Sequence, residues 1–251
     1  RRAFVSAWTD GAFGAAPAVV APAGAGHPGR RVLVTGPARG IGEAIARLFA
    51  AEGAVVTALD APGARDDLLA LTQAIGGRSL LLDITAPEAA GTLLAEAREQ
   101  GGFDVVIHNA GITRDRTLVR MEAREWDSVM AVNLGAPLAL TRALIDAKAV
   151  RRNGRIVAVS SLSGVAGNMG QTNYALSKAG WIGAVRRLAH DGLGDGVTIN
   201  AVAPGFIETR MTAAIPFAIR EAGRRMNSMG QGGQPVDVAE TIAWLTQPGS
   251  A

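Results

Sequence analysis

Short apolar runs alternate with amphipathic stretches along most of this chain. The first run is Arg31-Val32-Leu33-Val34-Thr35; the others span 54–59, 79–83, 104–108, 155–160 and 197–202. Each is apolar at nearly every position, so neither face of the strand is left for water. Between them the spacing predicts helices near 41–51, 65–75, 87–100, 122–150, 172–191 and 235–246. Fully buried strands alternating with helices predict an α/β fold: one doubly wound parallel sheet with helices on both faces. The apolar sequence is enough for one core, so 30–251 is expected to be a single domain. Residues 1–29, rich in Ala, Gly and Pro, have the composition of a linker, and a chain opening on Arg1 reads as part of a longer protein. Prolines and glycines there also break any apolar core for a secretory signal.

Composition removes several function classes. A hydrophobic fraction of 48% with 19% charged residues belongs to a globular protein. No stretch of about 18 or more apolar, uncharged residues occurs, so no membrane span is expected. The chain has no cysteine, which excludes disulfides and thiolate metal sites and fits a reducing cytoplasm. His27, His108 and His190 are scattered, so no metal centre is expected. The pI is near 10.1, but the net charge is only +3 and no basic run of five residues occurs. Nucleic acid is therefore a poor candidate partner.

Candidate chemistry gathers at the carboxyl ends of the strands. Gly36-Pro37-Ala38-Arg39-Gly40-Ile41-Gly42 lies between the first strand and the first helix. Gly36, Gly40 and Gly42 would let the backbone approach a pyrophosphate at the helix N-terminus, the arrangement of a Rossmann-type dinucleotide site. Asp60 closes the second strand, where a carboxylate accepts from ribose hydroxyls and repels a 2′-phosphate. It favours NAD(H) over NADP(H), with Arg39 as the opposing feature. Asp83 closes the third strand and Asn109-Ala110-Gly111 the fourth; both fit the adenine side of such a site or ordinary turn chemistry. Asn133 is a polar residue in a mostly apolar helix, as at a side-chain-bonded kink. Pro204-Gly205-Phe206-Ile207-Glu208-Thr209 follows the sixth strand, where a loop could close over a bound cofactor or simply turn.

Tyr174 and Lys178 are four apart and share a helix face, with Ser161 thirteen residues before the tyrosine. Lys148 and Lys178 are the only lysines. A neighbouring ammonium favours the phenolate, so the Tyr174 pKa is expected below its ordinary value near 10.

Together these residues resemble the short-chain dehydrogenase/reductase family: T-G-x-x-x-G-x-G at Thr35 to Gly42, N-A-G at Asn109 to Gly111, Asn133, Ser161, Y-x-x-x-K at Tyr174 and Lys178, and Pro204-Gly205. The stretches 109–115 and 170–174 resemble 3-oxoacyl-(acyl-carrier-protein) reductases, and 198–209 with 211–216 are most similar to the long, NADH-preferring branch of these. That branch carries an extra N-terminal domain. His108 stands where many relatives have asparagine, and the family chain continues past residue 251 into a seventh strand.

The resemblance implies reduction of a 3-oxoacyl thioester, on acyl carrier protein or CoA, in fatty-acid synthesis. Tyr174 would give the proton, Ser161 would hold the keto oxygen, Lys178 would tune Tyr174 and hold the nicotinamide ribose, and Asn133 would position a water. Gly36, Arg39, Gly40, Ile41, Gly42, Asp60, Asp83, Ile84, Asn109, Ala110, Gly111, Pro204, Gly205, Ile207 and Thr209 would hold NAD(H), and Gln171 would touch substrate. A homodimer or homotetramer is expected through the helices at 122–150 and 172–191, where Ala136, Ala139, Ala143, Ala175, Ala179, Gly180, Gly183 and Ala184 permit close approach. Arg151, Arg152, Arg186 and Arg187 could form a cationic rim for the carrier. Other readings are a dehydrogenase for another alcohol or ketone (sugar, steroid or polyketide) and a non-catalytic NAD(H)-binding module.

Overall fold

A computed structural model describes residues 26–213, 217–225 and 229–250. Most of the linker-like stretch, 1–25, lies outside these residues. Six strands form one parallel sheet in the order β3-β2-β1-β4-β5-β6: β1 Arg31–Thr35, β2 Val55–Asp60, β3 Arg78–Leu81, β4 Phe103–His108, β5 Val150–Val159 and β6 Thr198–Val202. The order reverses between β1 and β4, which opens the crevice where ligands bind in such sheets.

The helices are α1 Gly40–Ala51, α2 Arg65–Ile75, α3 Ala89–Gln100, α4 Ala123–Met130, α5 Ala136–Asp146, α6 Leu162–Ala166, α7 Thr172–Asp191, α8 Arg210–Ala213, α9 Phe217–Arg225 and α10 Pro235–Thr246. Side chains alternate across each strand. Val105 and Ile107 join one apolar cluster with Ile45, Phe49 and Ile242, whereas Val106 joins the other with Leu140, Leu144 and Trp181. Two covered faces are the physical reason the strands read as continuously apolar. Each fully buried Leu or Phe contributes roughly 2 kcal/mol.

Three boundaries differ from the sequence pattern. The third strand ends at Leu81, and Asp83 instead accepts from the Thr85 N–H at 2.9 Å, closing a turn. The long helix ends at Asp146, not 150, because the Ala149 carbonyl accepts from Phe103 N at 2.8 Å and draws the chain into β5. Residues 26–29 are not linker. His27 is fully buried, bonds Glu52 through Nδ1 and Thr246 Oγ1 through Nε2 at 2.9 Å, and lies 4.6 Å from the Phe49 ring.

The run Ala123–Asp146 is long and apolar enough, by length and composition, to cross a membrane. Here it packs against the sheet through Leu140 and Leu144 and is interrupted by a π-helical turn, Ala131–Gly135.

Candidate active site

Thr35 ends β1 and braces the glycine turn. Its Oγ1 accepts from the backbone N–H groups of Asn109 and Ala110, both at 3.1 Å. Asn109 Nδ2 donates to the carbonyls of Thr35 and Gly36 at 3.1 and 2.9 Å. The turn is therefore built against the end of β4. A β-carbon on Gly42 would lie 2.2 Å from the Gly36 oxygen and 2.5 Å from Asn109 Nδ2, so only glycine fits. Gly36 has φ +68° and a β-carbon there would meet Ala110 Cα at 2.7 Å. Arg39 caps α1 without contributing a side-chain acceptor. The first amides of α1, Gly40 and Ile41 among them, are thus left to an outside acceptor, which fits an anionic diphosphate.

Asp60 contributes to the same turn. Its Oδ2 accepts from Ala38 N at 3.0 Å and its Oδ1 from Ala61 N at 2.8 Å. Arg39 is exposed and, with Ala38, Glu43, Arg47 and Asp67, lines a small cleft beside it. Ile84 is buried in the core and Asp83 is exposed beside it. Across the crevice, Leu162 N donates to the Pro204 carbonyl at 2.8 Å, which fixes the loop after β6. The Thr209 methyl would sit 3.7 Å from a β-carbon on Gly40, so this loop arches toward the glycine turn.

Ser161, Tyr174 and Lys178 converge at the carboxyl end of β5. Ser161 caps α6, its Oγ accepting from Ser163 N at 3.1 Å. The Lys178 Nζ donates to the Val159 carbonyl at 2.8 Å and lies 5.5 Å from the Tyr174 ring centroid. Gly164 lets α6 lie directly on α7, since a β-carbon there would be 2.7 Å from the Lys178 carbonyl carbon.

The electrostatics reverse the expectation for Tyr174. Burial raises its pKa, a hydrogen bond from the Ser161 hydroxyl opposes the rise, and Asp115 adds to it. Burial also lowers Lys178 to about 8. Burial is the largest influence on Tyr174 and outweighs the opposing hydrogen bond from Ser161. The chain alone therefore holds a protonated tyrosine.

Asn133 is fully buried in the π turn. Its Oδ1 accepts from Ile112 N at 2.8 Å, and its Nδ2 donates to the Ile112 carbonyl at 2.9 Å and to Ser177 Oγ at 3.2 Å. The Asn133 carbonyl accepts from Trp181 Nε1 at 2.9 Å. Gln171 bridges two loops: Nε2 donates to Asp115 Oδ2 at 2.8 Å and Oε1 accepts from Asn168 Nδ2 at 2.9 Å. His108 is buried, bonded to Thr141 Oγ1 at 2.8 Å, stacked on Trp181 and lowered by burial to about 4.

Supporting residues that the motifs do not name are Asn173, Ser177 and Trp181. Asn173 Nδ2 donates to the carbonyls of Arg114 and Glu125 at 3.1 and 3.2 Å, pinning the start of α7. Their spacing of four along one helix face, with two polar members, is the signal that could have found them. The arginine rim is not where the sequence pattern would put it. Arg151 and Arg152 open β5 at the end remote from Ser161, and Arg151 pairs with Asp104 at 3.4 Å. Arg186 and Arg187 lie about 20 Å along α7 from Thr172, by the helical rise. Arg187 pairs with Asp191 at 2.7 Å. Within one chain none of the four borders the cleft.

Similarity to known proteins agrees with this geometry. The family described as Enoyl-(Acyl carrier protein) reductase matches residues 36–251. The 3-oxoacyl-(acyl-carrier-protein) reductase FabG of Vibrio cholerae is 42% identical over 226 residues, covering 89% of this chain and 92% of that protein. Its counterpart in Escherichia coli is 40% identical over 228 residues, with the same coverage of 89% and 92%. A dehydrogenase/reductase from Sinorhizobium meliloti superposes with a TM-score of 0.78 at 33% identity, covering 89% of this chain and 90% of that one. With its parallel sheet, its glycine turn and its Ser161–Tyr174–Lys178 group, the chain belongs to the short-chain dehydrogenase/reductase family.

Proposed function

We propose that this protein reduces the 3-keto group of an acyl thioester, borne on acyl carrier protein or CoA, with NADH as the reductant in fatty-acid synthesis. The observation that carries this reading is the convergence of Ser161, Tyr174 and Lys178 beside the crevice, with Tyr174 held protonated. The names of its relatives supply the substrate class.

The residues divide the work. Ser161 is positioned to hydrogen-bond the keto oxygen and aim it at Tyr174. Tyr174 gives that oxygen its proton as the alkoxide develops. Lys178, anchored on the Val159 carbonyl, would hold a nicotinamide ribose and replace the Tyr174 proton. A carbonyl has two lone pairs, so the Asn133 oxygen can hold a water on the path to Lys178 beside its bond to Trp181. The glycine turn, Asn109 to Gly111, Ile207 and Thr209 would hold the dinucleotide, which supplies the hydride when bound. Asp60, already fixed by Ala38 N and Ala61 N, keeps lone pairs for the ribose hydroxyls and favours NADH.

The exposed small residues Ala139 and Gly183, with Leu176 at 46% exposure, leave α5 and α7 suited to a two-fold pair. Gly180 serves inside the chain instead, where a β-carbon would lie 2.6 Å from the Leu134 side chain. A cytoplasmic location follows from the same reading.

The test is cofactor oxidation against acetoacetyl-CoA, an acetoacetyl carrier protein, a keto sugar and a ketosteroid. Turnover of the sugar or steroid with none of either thioester would reject the substrate class.

A further inference from the structure

A two-pronged ion pair joins the loop after β6 to helix α9. Arg224 donates from Nε to one Glu208 carboxylate oxygen and from Nη2 to the other, the second at 3.0 Å. Both side chains are partly buried, at 30% and 26% exposure. A fork of this kind fixes orientation as well as proximity.

Glu208 stands between Ile207 and Thr209. Its backbone N–H donates to the Gly233 carbonyl at 2.8 Å, and Gly233 N donates to the Phe206 carbonyl at 2.9 Å. The excursion from 209 to 232 therefore leaves and re-enters the fold at one backbone seam. Helix α9, within that excursion, returns to the seam at two places. The Phe206 ring packs on Gly223, where a β-carbon would come within 2.8 Å of it, and Arg224 grips Glu208. Gly232 sits against the other side of the carboxylate, a β-carbon there falling 2.5 Å from its Oε1. Glu221 orients the guanidinium from within α9, accepting from Arg224 Nη1 at 3.3 Å.

We infer that Glu208 and Arg224 form a latch that couples the cofactor-binding loop to α9, so that ordering one orders the other. Both are positioning residues. The inference rests on the reading that Ile207 and Thr209 hold the cofactor. An ion pair of this exposure is weak enough to open in each cycle, and its bidentate geometry is specific enough to choose one closed arrangement.

Hydrogen–deuterium exchange on the full chain, with and without NADH and with no ketone present, tests the coupling. In the wild type NADH slows exchange across 217–225. In Glu208→Gln and in Arg224→Gln that slowing disappears and the NADH dissociation constant rises about fivefold, a typical coupling between sites. The double variant is no worse than either single one, and exchanging the charges (Glu208→Arg with Arg224→Glu) recovers part of the slowing. Exchange in β1 and β4 stays at wild-type rates. Equal NADH protection of 217–225 in Arg224→Gln would overturn the latch, as would additive effects in the double variant. Faster exchange in β1 and β4 would also overturn it, marking the pair as a general structural clasp. Failure of the 3-oxoacyl reading would leave all these measurements unchanged.

Discussion

Lys178 Nζ lies 5.5 Å from the centroid of the Tyr174 ring and is tied to the Val159 carbonyl at 2.8 Å. The two groups share one buried face of α7, and burial acts on them in opposite directions. It raises the phenol and lowers the ammonium to about 8, so both move toward neutrality. A neutral phenol suits the reductive direction proposed above, in which Tyr174 would give a proton.

Tyr174→Phe removes that proton and little else. Reduction should fall by roughly three orders of magnitude, the usual scale for a lost general acid, while NADH affinity stays within about twofold. The measurements are steady-state rates and a fluorescence titration. Substantial residual turnover would remove Tyr174 from the mechanism.

Alcohol oxidation, the reverse reaction, needs the deprotonated phenol. Its rate should climb with pH through the alkaline range, while reduction stays level across neutrality, because burial raises the Tyr174 pKa. A pH–rate profile in both directions checks this. Oxidation that is already level at neutral pH would mean the phenol ionises lower than its surroundings imply.

Lys178 also links stability to pH. Its folded pKa of about 8 is below its ordinary 10.5. Between these values the unfolded chain binds more protons, so stability rises as pH climbs from about 8 to 10.5. Below 8 burial of the lysine costs its full amount, on the order of 3 kcal/mol. Lys178→Met should abolish this rise, read from denaturant midpoints across the alkaline range. The same rise in the variant would mean another group carries it.

The sheet, and the bounds of α7 and α10, were legible in the sequence because both faces of every inner strand are covered and both helices have sharp ends. The end of α5 was not. Ala147 to Val150 is helix-compatible locally, and only the distant Phe103 N–H, bonding Ala149 O, decides for β5. The convergence of Ser161, Tyr174 and Lys178 was legible because Tyr174 and Lys178 lie one turn apart on one helix, with a serine at a strand end. Its electrostatics were not, because burial depends on Gly111 and Gly164, which approach Lys178 from other parts of the chain. The Glu208–Arg224 fork spans sixteen residues with no periodic signal.

Cofactor choice sets Asp60 against Arg39. Asp60 is fixed by Ala38 N and Ala61 N, whereas Arg39 is exposed at the cleft beside it. NADH should be preferred, and Asp60→Ala should narrow the preference by roughly tenfold, about 1.4 kcal/mol. The same change loosens the turn at Ala38, so affinity for both cofactors should fall somewhat. Wild-type preference for NADPH would assign the choice to Arg39.

The last prediction separates a docked segment from a linker. His27 is fully buried against Glu52, whose side chain is 2% exposed, and against Thr246, Phe49 and Arg30. His27→Ala would leave the Glu52 carboxylate buried without its partner, at a cost of about 3 kcal/mol. Burial lowers the His27 pKa, and the bond to Glu52 only partly offsets this. The unfolded chain therefore takes up a proton near the ordinary 6.5 that the folded chain accepts only at lower pH. Stability should accordingly fall as pH drops below 6.5, and this slope should flatten in His27→Ala. Urea titrations of both proteins on either side of that pH give both quantities. If residues 26–29 were only a tether, the substitution would cost nothing at either pH. A loss at neutral pH with an unchanged acid slope would keep the packing role and assign the proton uptake to another group.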